Sequence, residues 1–269
     1  MLVQHEQVLN TIDSFDFDAH EVSEAVGRKN SFVFLVYQMM ANLGNFTTPT
    51  VALNFDKLVP FLQAICAGYD SQVAYHNDLH GADVAQMLYL MVSKGGLNSM
   101  AQLNYLDLVA MITAGACHDF AHDGFTNVYH VNFMTDRAIR YHDKAVQENW
   151  HASESMKLLL MPENNFMEAF GESEMKLLRK RMIGMILATD MADHMSHINV
   201  MDFQIKDKQI TREAGNGGDL IDTTGQKELF ESQQQCLDLM IHACDLSTPT
   251  RRFDTLKRWT YLLFEEFFA

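Results

Sequence analysis

Apolar residues recur along this chain at helical spacing and almost never alternate. In NFDKLVPFLQAICAGY the positions Phe55, Leu58, Val59, Leu62 and Ile65 follow one another at intervals of 3, 1, 3 and 3 residues. That spacing lines one face of a 3.6-residue helix. Pro60 falls inside the run and predicts a helix start or a kink there. SFVFLVYQMMANLG predicts a buried helix stopped by Gly44, and HNDLHGADVAQMLYLMVSKGG a helix running to Gly95 and Gly96. LNYLDLVAMITAGACHDFAHDG is apolar until its polar end. ENWHASESMKLLLM and EMKLLRKRMIGMILATDMADHMSHI predict two more helices, and ELFESQQQCLDLMIHACDLST and RRFDTLKRWTYLLFEEFFA close the chain. Residues 206–226, KDKQITREAGNGGDLIDTTGQ, are polar without a period and predict a surface loop. No stretch keeps a two-residue alternation long enough for a strand. The pattern predicts one all-α domain over residues 1–269.

Composition narrows this further. Of 269 residues 48% are hydrophobic, ample for a sizeable core, and 4 prolines with 14 glycines give little punctuation, as long helices require. A formal net charge of −15 repels a nucleic-acid polymer, whose binding rests on lysine and arginine. A small phosphate ester remains compatible, because local cations can outweigh the overall field. Cys66, Cys117, Cys236 and Cys244 lie in apolar surroundings, and no basic-then-apolar leader opens the sequence. No apolar run reaches the roughly 18 residues of a membrane span. The chain reads as a soluble cytoplasmic domain with buried free thiols.

Three polar clusters interrupt the apolar helices. In YHNDLHGADV, His76 and His80 stand four residues apart, a spacing that puts both imidazoles on one face if the segment is helical. In ACHDFAHDGFTN, His118 and His122 have the same spacing, and Asp119 can bridge through its two oxygens. In IHACDLSTP, Asp245 ends an apolar helix, where a buried charge is costly unless paired or metal-bound. Each cluster alone also has a structural reading: a chance His pair, a polar helix end, a helix-capping aspartate. Together, His80, His118, Asp119 and Asp245 supply two nitrogens and two carboxylates, a set suited to zinc or another divalent ion. Cys117 and Cys244 are one residue from His118 and Asp245, a turn of about 100° on a helix, so they should point into packing.

These segments resemble, nearly end to end, the catalytic domain of the class I cyclic nucleotide phosphodiesterases. YHNDLHGADV and CHDFAHDGFTN resemble that family's two histidine signatures, and VQENWHASESMKLL its segment with an invariant glutamate, here Glu148. LATDMADHMSHI and IHACDLSTPTRRFDTLKRWTYLLFEEFF are similarly placed. The overall pattern is most similar to the calmodulin-stimulated branch, although no calmodulin-binding region is recognisable.

The resemblance implies hydrolysis of 3′,5′-cyclic nucleotides, cAMP or cGMP, to nucleoside 5′-monophosphates. It implies zinc held by His80, His118, Asp119 and Asp245, with Asp119 also reaching a second ion, Mg2+ or Mn2+, and a hydroxide between the ions attacking phosphorus. His76 becomes the general acid for the leaving ribose oxygen. His122, Asn127, Glu148 and Thr189 match positions that contact metal waters or orient ligands. Asp83 could orient His80 or simply make a local helix contact. Tyr75, Met191, Leu246 and Trp259 fall where the family lines its nucleotide pocket, and each could equally be core. Thr248 stands where many relatives carry an asparagine that helps recognise adenine, so the choice of base stays open. The family also continues to a purine-binding glutamine and phenylalanine, whereas this sequence ends at Ala269. Weak nucleotide affinity or low stability is the corresponding expectation. Two other readings stand beside the enzyme: a metal-binding regulatory relative without turnover, and a metal-dependent hydrolase of other phosphate esters.

Overall fold

Side-chain caps set where six of the α-helices begin. The computed structural model describes residues 10–213 and 221–269. A 3-10 turn at Asn10–Asp13 leads to α1 (Ala19–Val26), where the Asp18 side chain accepts the backbone N–H of His20 and Glu21. α2 (Arg28–Asn42) continues into a 3-10 turn, Leu43–Asn45, so Gly44 sits within that turn rather than ending the α-helix. α3 (Phe55–Gly68) is capped by Asn54 and runs through Pro60 without a new start, at a cost of one backbone hydrogen bond. Asn77 caps α4 (Asp78–Ser93), and the short α5 (Leu97–Ala101) precedes α6 (Tyr105–Cys117). Asn104 and Asp107 form a reciprocal capping box at the start of α6.

Thr126 and Thr135 cap two six-residue helices, α7 (Asn127–Asn132) and α8 (Asp136–Tyr141). Then come α9 (Val146–Leu159) and α10 (Glu172–Leu187). The long helix expected through LATDMADHMSHI is instead broken. α10 stops at Leu187, a 3-10 turn occupies Met191–Asp193, and α11 (His194–Glu213) starts afresh. The loop expected at 206–226 is helical as far as Glu213, and residues 214–220 lie outside the described residues. α12 (Gln226–Asp245), a 3-10 turn at Thr248–Thr250 and α13 (Phe253–Phe267) complete the order. No strand occurs among the described residues. No helix among them is long and apolar enough to cross a membrane.

α4 and α6 form the centre of one hydrophobic core that extends from Phe17 to Trp259. All of α6 and nearly all of α4 are buried. Two glycines let these helices come close. A Cβ at Gly115 would sit 2.8 Å from Leu88 Cδ1 and 3.0 Å from Ala85 Cα, and one at Gly81 would meet the Tyr69 hydroxyl at 2.8 Å. α2 covers α4, α10 covers α6, and α12 packs on α10. Arg181 of α10 locks this arrangement. Its Nε donates to Asp107 Oδ1 of α6 at 2.9 Å and its Nη2 to Gln233 Oε1 of α12 at 2.7 Å. The packing therefore brings the start of α4, the end of α6 and the end of α12 to one place.

Candidate functional site

Four donors meet where those helix ends meet. His80 is the third residue of α4, His118 is the residue that caps the end of α6, Asp119 follows it, and Asp245 is the last residue of α12. His80 Nε2 lies 3.0 Å from Asp245 Oδ1 and 3.4 Å from Asp119 Oδ2. His118 Nε2 lies 3.1 Å from Asp119 Oδ2 and 3.3 Å from Asp245 Oδ1. A tetrahedral ion with bonds of about 2.1 Å separates its ligands by roughly 3.4 Å, so the donor set is already at ligand spacing. The protonation pattern agrees. His118 Nδ1–H donates to the Gly115 carbonyl at 2.8 Å, which leaves Nε2 with a lone pair facing the cluster. His118 Nε2 and Asp119 Oδ2 are buried without a hydrogen-bond partner, as atoms prepared for an ion would be. Burial opposes charge on His118, yet Asp119 and Asp245 outweigh it and hold the imidazole well above its ordinary pKa. Both aspartates fall well below theirs, the pull of His118 exceeding the penalty of burial. A cation placed among them takes over the role of that imidazolium.

The helical spacing expected for His76 and His80 does not hold. α4 begins at Asp78, so His76 lies before its capping residue, in a bend where the Asn77 N–H donates to the Tyr75 carbonyl at 2.8 Å, rather than one turn earlier on the same face. What fixes His76 comes from the far end of the chain. Its Nδ1–H donates to Glu266 Oε1 at 2.5 Å, and Glu266 Oε2 accepts the backbone N–H of Tyr75 at 2.8 Å and of His76 at 3.0 Å. Burial lowers the His76 pKa, but the hydrogen bond to Glu266 and the nearby Asp119 reverse this and raise it overall. Burial would raise Glu266, yet His76 holds it down at about 2.

His118 and His122 do not share a helix face either, because α6 ends at Cys117 and the chain turns through Ala121 at φ 59°. His122 instead stacks on His76, with ring centroids 4.3 Å apart and planes at 22°. Its Nδ1 accepts the Gly124 N–H at 3.0 Å, and burial and the facing His76 push its pKa down to about 4. His76, His122 and Glu266 thus approach one another closely, but stacked rings aim their lone pairs side by side rather than at a common centre. Only the first cluster has convergent donors.

Behind His122 lies His151, stacked 5.6 Å away and donating its Nδ1–H to the Phe120 carbonyl at 2.6 Å. Asn127 donates to both oxygens of Glu148, at 3.2 and 2.9 Å, and accepts the Gln147 N–H at 2.8 Å. Burial pushes the Glu148 carboxyl up to about 7, with Asn127 opposing. Thr189 turns its hydroxyl back onto the Ile186 carbonyl at 2.8 Å.

A cavity of about 550 Å³ opens beside these groups, lined by His76, Asp119, His122, Asn127, Glu148, Thr189, Met191, Asp245 and Glu266 among others. Met191, 56% exposed, is the one expected nucleotide-pocket residue on its wall. Tyr75 packs against His80 with the rings tilted at 38° and meets the Thr248 hydroxyl at 3.4 Å, away from that wall. Leu246 is exposed elsewhere. Trp259, placed in the pocket by resemblance, is fully buried against His20, Tyr75 and His80 and packs as core. Asp83 makes no hydrogen bond to His80, whose Nδ1 has no partner. Its buried carboxylate accepts from Arg251 Nη2 at 3.0 Å instead. Cys117 and Cys244 are buried free thiols as expected, whereas Cys66 and Cys236 are only partly buried. Glu266, His151 and Arg251 were not singled out from sequence. The glutamate pair Glu265 and Glu266 within the apolar LLFEEFFA was the only available signal for the first.

The model of a family described as 3'5'-cyclic nucleotide phosphodiesterase matches residues 75–269. The dual specificity calcium/calmodulin-dependent 3',5'-cyclic nucleotide phosphodiesterase 1C of Mus musculus is 31% identical over 265 residues, covering 97% of this chain and 34% of that protein. The corresponding phosphodiesterase 1 of Drosophila melanogaster is 32% identical over 263 residues, 97% of this chain and 29% of its own length. The chain thus spans about a third of these curated relatives. Among solved structures, the phosphodiesterase domain of the rhodopsin phosphodiesterase from the choanoflagellate Salpingoeca rosetta aligns with TM-score 0.76 and 26% identity, covering 98% of this chain and 73% of that one. A second crystal structure of that phosphodiesterase domain gives TM-score 0.74 and 27% identity, with 98% and 76% covered.

Proposed function

The chain belongs to the 3'5'-cyclic nucleotide phosphodiesterase family, and from that premise we propose that it is a single catalytic domain hydrolysing 3′,5′-cyclic nucleotides to nucleoside 5′-monophosphates. The observation that carries the reading is the pairing of a convergent His80–His118–Asp119–Asp245 cluster, which reaches the cavity through Asp119 and Asp245, with a separately held His76 lining the same cavity. A nitrogen-and-carboxylate set at tetrahedral spacing supports zinc, and the carboxylate of Asp119, which also lines the cavity, supports a shared second ion such as Mg2+ or Mn2+. When bound by these residues, divalent cations would supply a nucleophilic water near neutral pH and screen the phosphodiester charge.

The chain's own residues supply the proton side of the reaction. With Nδ1–H committed to Glu266, the other ring nitrogen of His76 is the one free to protonate the departing ribose 3′ oxygen. Glu266 is a positioning residue: it fixes the ring and keeps it charged. Neutral His122 stacked on His76 limits the ring to one plane. Asn127 holds Glu148 through both carboxylate oxygens, and Glu148 lines the cavity where it can accept hydrogen bonds from water. The acidic chain, formally −15, favours a small anion over a polynucleotide. Four free cysteines support a reducing, cytoplasmic setting.

The test is release of 5′-monophosphate from cAMP and cGMP, read together with zinc content. His76→Ala is expected to keep the wild-type metal content and lose about 10²–10⁴-fold in turnover. Unchanged turnover in that variant overturns the acid assignment. A metal-loaded wild type that opens neither nucleotide overturns the enzyme reading.

A further inference from the structure

The loop between α6 and α7 carries His122 to its place on His76. Ala121 stands there in the left-handed region at φ 59°, which residues other than glycine seldom adopt. Two side chains from further along the chain hold this loop, Arg137 of α8 and Gln147 of α9. Arg137 grips both neighbours of His122. Its Nη2 donates to the Ala121 carbonyl at 3.3 Å, and its Nη1 lies 3.0 Å from Asp123 Oδ2. Gln147 Nε2 donates to Asp123 Oδ1 at 2.7 Å and to the Phe125 carbonyl at 2.9 Å, and His130 Nε2 meets that same Oδ1 at 3.3 Å. The loop is thus tied at Ala121, Asp123 and Phe125, every second residue.

The grip is itself held in place. Arg137 Nη1 donates to Gln147 Oε1 at 2.6 Å, and the guanidinium lies over the Trp150 ring, 4.4 Å from its centroid. Gln147 is buried, and its backbone N–H is already bonded to Asn127. A planar guanidinium carries its donors in a fixed fork, so it sets three acceptors relative to one another, which a lysine ammonium cannot do. The ion pair with Asp123 is partly exposed and adds little to stability. What the fork fixes is the geometry of the loop.

We propose that Arg137 is a positioning residue for the hydrolysis described above. By holding Ala121 and Asp123 it keeps the His122 ring stacked on His76, and so keeps His76 aimed at the leaving oxygen. Glu266 fixes one edge of the His76 ring, and the His122 face fixes its plane. The inference rests on His76 acting as the acid. Arg137 touches neither substrate nor His76 and acts only through the loop.

The test measures kcat and KM for cAMP and cGMP, with zinc content, for Arg137→Ala in the wild-type and His76→Ala backgrounds. In the wild-type background kcat is expected to fall about 10–10²-fold, as when a catalytic group is displaced by about 1 Å, with KM and zinc content unchanged. In the His76→Ala background no further loss is expected. Equal losses in both backgrounds, or none in either, overturn the inference. Arg140→Ala, at an exposed arginine 5.9 Å from the same Trp150 ring, is expected to keep the wild-type kcat. Should Arg137→Ala not fold, Arg137→Lys decides: it keeps a charge beside Asp123 but loses the fork, and a wild-type kcat in it overturns the assignment. Hydrogen exchange at the Gly124 amide, which donates to His122 Nδ1 at 3.0 Å, reads the loop without turnover. It is expected to be faster in Arg137→Ala than in wild type or Arg140→Ala, and an unchanged rate overturns the grip. A wild type that opens neither nucleotide overturns the proposed function and this inference with it, whereas an active wild type whose kcat Arg137→Ala leaves unmoved overturns this inference alone.

Discussion

The same two residue types, histidine and carboxylate, serve opposite ends on adjoining walls of one cavity. Around Asp119 and Asp245, His118 surrenders its Nδ1–H to a backbone carbonyl, and the free nitrogens and oxygens converge at 3.0–3.4 Å. Around Glu266, the carboxylate takes the Nδ1–H of His76 directly, and the neighbouring imidazole of His122 stacks instead of converging. The first arrangement exposes lone pairs and selects a cation. The second stabilises a charged ring and selects a proton. On the proposed assignment, the identity of the hydrogen-bond acceptor, a neutral carbonyl or a charged carboxylate, separates a ligand from an acid.

Removing charge from the converging wall should have the largest effect. Asp245→Asn is expected to lose the tightly held ion, and its turnover should fall by more than the ~10²–10⁴-fold attributable to an acid alone. Metal analysis with single-turnover assays checks this. Retained zinc with normal turnover would collapse the distinction between the walls.

The next largest effect tests the support behind the converging wall. Arg251 Nη2 pairs with Asp83 Oδ1 at 3.0 Å, both side chains fully shielded, one turn beyond His80. Arg251→Ala leaves a buried carboxylate alone and should cost about 3–5 kcal/mol of stability in urea denaturation. Arg258→Ala, which breaks an exposed pair with Glu24, should cost no more than about 1 kcal/mol.

The smallest effect sharpens the proton-holding wall. Glu266 raises the His76 pKa, so a neutral amide in its place lowers it. An acid must be protonated to act, and the alkaline limb of the pH–rate profile of Glu266→Gln should therefore move to lower pH with metal content unchanged. Stability follows the same pair. The depressed Glu266 contributes above its ordinary 4.5 and loses that contribution as pH falls toward about 2. The raised His76 contributes fully below 6.5 and loses it as pH rises through its folded value. In Glu266→Gln the Glu266 contribution should vanish from the pH dependence of the melting temperature, and the His76 contribution should shrink to what Asp119 and Asp245 sustain.

Much of this was legible in the chain. Helical periodicity located α2, α3, α4, α6, α9 and α12 because a buried face demands apolar residues every three or four positions. The four cluster donors were legible because charged and imidazole groups at the ends of apolar helices stand out against their surroundings. Helix boundaries were less so. His76 and His122 were read as helical neighbours of His80 and His118, but Asn77 caps α4 just after the first and α6 stops before the second. The break at Ala188–Asp193 carries no proline or glycine to mark it. Trp259 shows the limit of resemblance at pocket positions, since an aromatic side chain there packs as core.

The sequence by itself determined which residues could give up a lone pair or hold a proton, and that they sit at or near the ends of apolar helices, because both properties are local. The resemblance implied which histidine does which, and only the tertiary structure supplies the partners that bear on it. His80 meets Asp245 from 165 positions away, and His76 meets Glu266 from 190. Contacts across such separations depend on how α4, α6, α12 and α13 pack, and a hydrogen-bond acceptor brought in by packing sets the tautomer and charge of an imidazole that its own neighbours leave free.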